Sequence, residues 1–372
     1  MNNSLEIFLH DQLQQLSSNN NLRKLVASEN HGVMVRQDYT DYISFCSNDY
    51  LGIIADGSAD FSGSAGAGAS RLITGNNALY QQLEAEIAHA KHKPAALIFG
   101  SGYLANIGVI SSLARKGDLI LLDKLSHACM IDGAMLSGAK MMRFSHNNMA
   151  HLQQLLQLHR SQFNHCFVIS ETIFSMDGDL CPCQDLRTIC DENQAWLLVD
   201  DAHGFGLPHI QAHLADIVIG TFSKAIGTYG GYVAGSEALK QYLINHARSF
   251  IFTTGLPEVI LKATLHNLKQ IATQPQKAQI IMDYERQITD ALQLPTNNSP
   301  IIPIIIGSNE ACLAAQQQLK AQGILVSAIR PPTVAINKAR LRISLNAAHQ
   351  PQHITQLINS LQRLMANNGH SS

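Results

Sequence analysis

The chain has 372 residues, 46% of them hydrophobic and 15% charged, with a formal net charge of −2. That length holds one large domain and a smaller one, and that composition excludes global disorder. With basic residues scattered rather than clustered, nothing favours a nucleic-acid or anionic-membrane surface.

Residues 1–45 read as a helix followed by a small hairpin, GVMVRQDYTDYISF. Glu6 and Asp11 sit in the first stretch, and no basic region precedes an apolar one. No signal peptide is therefore expected, and the expected location is cytoplasmic. The seven cysteines are odd in number and fit reduced thiols. Residues 46–280 read as the large domain. Between 95 and 235 short apolar runs alternate with longer amphipathic ones. Candidate strands are 95–99, 118–122, 165–170, 195–200, 216–220 and 231–234, with helices at 149–159 and 183–193 among them. Continuous apolar strands such as AWLLV argue a largely parallel sheet covered on both faces. The uncharged run 95–114 has the length of a membrane span. Ser101, Gly102 and Asn106 interrupt it, so strand–turn–helix fits better. A long helical pattern covers 257–290. Residues 281–372 then read as an α+β domain, with strands in SPIIPIIIG, GILVSAI and RLRISL and helices at 310–322 and 352–366.

Open parallel sheets place their reactive groups at the carboxyl ends of strands. In LLVDDAHGFG, Asp200 ends an apolar strand and needs a cationic or N–H partner, with His203 just beyond it. The bland alternative is an acid capping the next helix. In GTFSKAIGTYGG, Lys224 follows the next apolar strand. Adjacent strands lie about 4.8 Å apart, so the two groups can flank one small molecule. A partly buried lysine becomes a usable nucleophile; a snorkelling surface lysine is the alternative. The segment is not a phosphate-binding P-loop, because Ser223 stands where that motif has glycine.

FGSGYLAN puts Ser101, Gly102 and Tyr103 at a helix start, where free N–H groups suit a phosphate or simply form an ordinary turn. SGSAGAGASRLITG reads as a tight loop near a ligand, not a dinucleotide fingerprint. His127 in DKLSHAC either stacks a flat ring or fills a core. Arg340 and Arg342 alternate along one strand, suited to carboxylate capture or to a domain-interface ion pair. Cys181 and Cys183 form a lone C-x-C with no second pair, so no metal is expected.

An amine, an acid one strand over, phosphate donors and a carboxylate-binding arginine point to pyridoxal phosphate. With SNDYLG, GAGASRLITG, SGYLAN, DKLSHACMIDGAMLSGAK, ETIFSMDGD, VDDAHGFG, GTFSKAIGTYGGY, SFIFTTGLP and IRPPTV…ARLRISLNAAH in order, the chain resembles the α-oxoamine synthases over nearly its whole length. The resemblance implies the α/β fold of fold-type-I PLP-dependent transferases. That fold has a large domain with a mainly parallel seven-stranded sheet covered by helices, plus a smaller α+β C-terminal domain.

The same resemblance implies roles. Lys224 would carry the cofactor aldehyde as an imine, Asp200 would hold the pyridine nitrogen and His127 would stack on the ring. His203 and Ser175 would lie near the phenolic oxygen. Ser101, Gly102, Tyr103 and Thr221 would hold the phosphate, with Thr253 or Thr254 reaching it from a second subunit of a homodimer. Arg342, Arg23 and Asn48 would bind the amino-acid carboxylate, with Glu171 near the substrate. The implied reaction joins L-alanine to a pimeloyl thioester, carried on CoA or an acyl-carrier protein, with loss of CO2, for biotin biosynthesis. A sister acyltransferase using glycine and acetyl-CoA, another pyridoxal-phosphate reaction such as transamination, and a non-enzymatic relative are the alternatives. Intact Lys224, Asp200 and His127 argue against the last. Against the family pattern, Tyr80 stands in place of histidine, Cys129 of serine, Asn148 of aspartate and Gly255 of alanine or serine. The segment after Gly206 is also shorter than usual.

Overall fold

In a computed structural model, which describes residues 4–54 and 62–368, the chain forms two units. One comprises residues 51–175 and 179–279; the other comprises residues up to 50, 176–178 and those from 280 onward.

The first unit is built on a seven-stranded sheet. Its strands are β1 (Ala95–Phe99), β2 (Leu119–Asp123), β3 (Lys140–Phe144), β4 (Cys166–Glu171), β5 (Trp196–Asp200), β6 (Ile217–Thr221) and β7 (Gly231–Gly235). Their spatial order is β1-β7-β6-β5-β4-β2-β3. β7 runs antiparallel to both neighbours; the pairs from β6 through β3 are parallel. Every residue of β1, β2, β4, β6 and β7 is buried, as strands covered on two faces require. The exception on β5 is Trp196 at its start, 44% exposed and stacked on His165. The apolar residues of helix Gly102–Leu113 and helix Ala128–Ser137 join one core with the sheet. Those helices meet at Gly133, where an added Cβ would lie 3.0 Å from the Ile110 Cβ. β3 and the helix before it were not expected as separate elements. β3 is an edge strand, KMMRF, with mixed burial, so it lacks the apolar run that marks its neighbours.

The uncharged run 95–114 divides into β1 and the Gly102–Leu113 helix, with Ser101 as N-cap. Among the described residues no helix is long and apolar enough to cross a membrane. The single long helical pattern proves to be two helices, Glu258–Thr273 and Gln276–Leu292. They part at Pro275, which has no N–H to continue the ladder.

In the second unit, helix Ser4–Ser18 has no buried residue. Strands Met34–Gln37 and Thr40–Ser44 form the expected hairpin; Asp38 and Tyr39 at its turn both have positive φ. GILVSAI is not one strand. Ile324–Leu325 pairs in parallel with Thr40–Ser44, while Ser327–Ile329 pairs with Ala339–Ser344 in a second, antiparallel sheet. Ile301–Gly307 completes that sheet, and helices Asn309–Ala321 and Pro351–Asn368 follow the expected pattern.

Candidate active site

β2, β4, β5 and β6 end on Asp123, Glu171, Asp200 and Thr221, all buried. An apolar strand leaves no polar neighbours for such end groups, so their partners come from the following turns and helices. Asp200 Oδ2 accepts the Asn106 side-chain N–H at 2.8 Å, and Oδ1 accepts the Ala202 amide at 2.9 Å. Burial raises the Asp200 pKa, opposed by Lys224, the Asn106 bond and the Ala202 amide. Glu171 is the register partner of Asp200 on the next strand. Burial, then the Asp200 charge, pushes its carboxyl up to about 8.

Glu171 Oε1 accepts the His127 amide at 2.6 Å. His127 caps helix Ala128–Ser137, and its Nδ1 accepts the Cys129 amide at 3.3 Å with the Cys129 Sγ 2.9 Å away. An accepting Nδ1 leaves the neutral ring's proton on Nε2. Burial lowers the His127 pKa, and the charges of Asp200 and Lys224 both reach it. Lys224 Nζ lies 2.6 Å from His203 Nε2. Lys224, Asp200, Glu171 and His127 therefore share one electrostatic neighbourhood.

Ser101 Oγ accepts the Leu104 amide at 3.1 Å, which leaves the Gly102 and Tyr103 amides as the helix's open first donors. A Cβ on Gly102 would come within 3.0 Å of the Thr221 Cβ, so the helix start and the β6 end face one small space. Thr221 Oγ1 lies 2.8 Å from Ser223 Oγ and donates to the Gly230 carbonyl at 2.9 Å. Tyr103 bonds Asp132. Ser175 follows β4 by a few residues. Thr254 pairs with Ser70 in an isolated bridge, with Thr253 beside it in sequence.

In the other unit, Arg342 is buried and donates to Asn48 Oδ1 at 3.2 Å, Tyr50 Oη at 3.2 Å and Ser344 Oγ at 2.6 Å. Arg340, on the same strand face, is held by Asp177. The Arg23 Nη2 donates to Thr333 Oγ1 at 3.3 Å. Arg23, Arg330, Asn21 and Thr333 line a cavity of about 80 Å³. The sequence reading grouped Arg23 with Arg342 and gave no site role to Arg330, Thr333, Asn106 or Cys129. Asn106 stood in SGYLAN and Cys129 in DKLSHACMIDGAMLSGAK, and Arg330 and Thr333 both stood in IRPPTV. Among the described residues no cluster of three or more His, Cys, Asp or Glu is arranged to hold a metal.

These residues fit pyridoxal phosphate on the chemistry of their donors. A buried acid whose hydrogen-bond donors are the Asn106 and Ala202 amides suits a protonated ring nitrogen. Open amides beside a threonine hydroxyl suit a phosphate, and a lysine amine suits an aldehyde.

The sequence pattern of the family "Aminotransferase class I and II" matches residues 40–361. The chain belongs to that family and, within it, to the α-oxoamine synthases. Its sequence is similar to those of curated 8-amino-7-oxononanoate synthases. It is 42% identical over 371 residues to that of Methylobacterium nodulans, covering 98% of each chain. It is 41% identical over 367 residues to that of Methylorubrum extorquens, covering 96% of each. Among solved structures, serine palmitoyltransferase from S. paucimobilis, with a bound PLP–myriocin aldimine, superposes with a TM-score of 0.90 at 25% identity, covering 99% of each chain. The 8-amino-7-oxononanoate synthase of Francisella tularensis superposes with a TM-score of 0.72 at 28% identity, covering 89% of this chain and 98% of that one. The higher TM-score reports backbone arrangement. The higher sequence identities, which carry side-chain chemistry, lie with the synthases.

Proposed function

We propose that the chain is a pyridoxal-phosphate-dependent acyltransferase that condenses L-alanine with a pimeloyl thioester, on CoA or an acyl-carrier protein. The products are 8-amino-7-oxononanoate, CO2 and the free thiol carrier, in biotin biosynthesis. The observation that carries this reading is the placement of Lys224, paired with His203, in the electrostatic reach of a buried Asp200, in a chain about 41% identical to named synthases.

The cofactor, when bound, supplies a carbonyl that captures the amino group and a ring that stores the electron pair left at Cα. Asp200 holds a proton on the ring nitrogen, and the Asn106 and Ala202 bonds keep its carboxylate aimed. His127 covers one ring face, and His203 and Ser175 serve the phenolic oxygen. The Gly102 and Tyr103 amides, with Ser101 and Thr221, hold the phosphate, and Thr253 or Thr254 of a second copy completes that grip. Lys224 Nζ, kept beside His203, takes the Cα proton of alanine and returns one at the end. Glu171 stands close to that exchange. Arg342 and Asn48 recognise the alanine carboxylate; fixing it decides which Cα bond is weakened first.

Arg23 gains a different reading from its cavity. Two guanidinium groups around about 80 Å³ suit a single carboxylate. A pimeloyl chain carries one at its far end. Replacing Arg330 with Met should raise KM for pimeloyl-CoA by about tenfold or more, the order of one lost charge-assisted bond, and leave heptanoyl-CoA unaffected. Equal effects on both thioesters would refute that assignment.

The protein is also proposed to be a cytoplasmic homodimer, in keeping with seven unpaired thiols. The decisive experiment is reconstitution with pyridoxal phosphate. The holoenzyme should absorb near ~420 nm, as expected of the lysine-bound cofactor, and release thiol from pimeloyl-CoA with L-alanine. Lys224→Ala should lose the band and at least about a hundredfold in turnover. A preference for glycine with acetyl-CoA, or amino transfer without a thioester, would replace this reading with one of its sisters.

A further inference from the structure

His146 follows β3, and both of its ring nitrogens face carboxylates. Nδ1 lies 3.0 Å from Asp123 Oδ1, and Nε2 lies 2.7 Å from Asp179 Oδ2. A carboxylate only accepts, so two such contacts call for a doubly protonated ring. Burial opposes that charge, but the bonds and charges of Asp123 and Asp179 outweigh it and lift the pKa to about 10. The Phe174 ring packs edge-on against the imidazole, with centroids 4.4 Å apart.

Each of these two aspartates also belongs to a turn. Asp123 is fully buried; Oδ1 accepts the Leu125 amide at 2.8 Å, and Oδ2 accepts the Asn147 amide at 2.9 Å. The Ser126 amide donates to the Asp123 carbonyl at 3.1 Å. That turn leads directly into His127, whose own amide is caught by Glu171. The Asp179 carbonyl accepts the Phe174 amide at 3.0 Å, closing the stretch that carries Ser175. Asn147 adds bonds to Asp179 Oδ2 at 3.1 Å and to the Leu180 carbonyl at 3.0 Å.

We propose that His146 is a positioning residue for the reaction: clamped between Asp123 and Asp179, it ties the turn that delivers His127 to the turn that carries Ser175. One cation stands against two carboxylates. Without it, two like charges remain at the carboxyl end of the sheet, one fully buried, and each loses the bond that links its turn to the other. Backbone bonds close each turn by itself, Ser126 to Asp123 in one and Phe174 to Asp179 beside the Ile173–Leu180 bridge in the other, and the His146 clamp fixes one turn against the other.

The inference rests on the proposed function, and its test separates the two. In the holoenzyme, His146→Gln should still bind pyridoxal phosphate but alter the visible circular dichroism of the bound cofactor. Turnover should fall on the order of tenfold to a hundredfold, the scale of a misplacement of about 1 Å, with KM nearly unchanged. In a double-mutant cycle with His127→Ala, most of that loss should vanish, because both changes act through one group. Additive losses, or unchanged dichroism and turnover in His146→Gln, would overturn the role of His146. Failure of the unaltered protein to bind the cofactor would overturn the functional reading instead. If His146→Gln does not fold, Asp179→Asn, which keeps the His146–Asp123 bond, goes through the same cycle with Ser175→Ala. Additivity there refutes the clamp.

Discussion

At the scale of single residues, the charged cluster is arranged for a guest. Asp200 and Glu171 end neighbouring strands as register partners, and burial raises the pKa of both. Glu171 rises from 4.5 to about 8, so the native state holds a proton that the unfolded chain releases. The stability this contributes is complete below about pH 4.5 and is lost as pH climbs toward 8, by at most about 1.4 kcal/mol per pH unit. The melting temperature of the cofactor-free protein should therefore fall across that window. Glu171→Gln should flatten the fall; an unchanged slope would show that Glu171 is not its source. Lys224, Asp200, His127 and Glu171 were legible because each follows an apolar run where a polar group is conspicuous. Asn106 and His146 were given no role, and Cys129 stood out only as a departure from the family pattern. Asn106 is an ordinary amide inside a helix, and its importance appears only when β5 brings Asp200 to 2.8 Å from it. Arg23 was visible, but the grouping that folding gives it with Arg330 and Thr333 was not.

Elements reveal a different limit. Buried strands announced themselves by continuous apolar runs, and β1 begins and ends as expected. β3 did not, because an edge strand carries polar residues on an open side. GILVSAI looked like one strand since pattern alone does not assign pairing partners, and two sheets share it. The helices Gly102–Leu113 and Ala128–Ser137 show how an element serves the site. One opens with the Gly102 and Tyr103 amides and carries Asn106; the other is headed by His127. Their spacing depends on Gly133, whose missing side chain leaves room for Ile110 and for the Asn106 carbonyl at 3.2 Å. Gly133→Val should cost about 1–3 kcal/mol by overpacking, read as a lower urea midpoint. It should also weaken cofactor binding, since both helix starts shift. A stable variant with wild-type affinity would show that the contact is slack.

For the whole molecule, association is the open quantity. Large apolar side chains remain exposed in the sheet-bearing unit, among them Ile73, Met135, Leu136 and Phe252, the last 72% exposed and adjacent to Thr253. The proposed second copy would cover such side chains and bring Thr253 or Thr254 to the phosphate. Light scattering should give a mass near twice the 40.6 kDa chain. Phe252→Asp should yield monomer with weakened cofactor affinity. A wild-type monomer with full activity would end the shared-site reading.

The chain contains one tryptophan, and folding sets it at the start of β5, four residues before Asp200. At about 3.3 Å of rise per residue, the indole lies roughly 13 Å along the strand from the carboxylate. That separation lies within the range of resonance energy transfer to a near-visible chromophore. Quenching of this lone emitter thus offers an optical gauge of cofactor occupancy that needs no substrate, no label and no added probe.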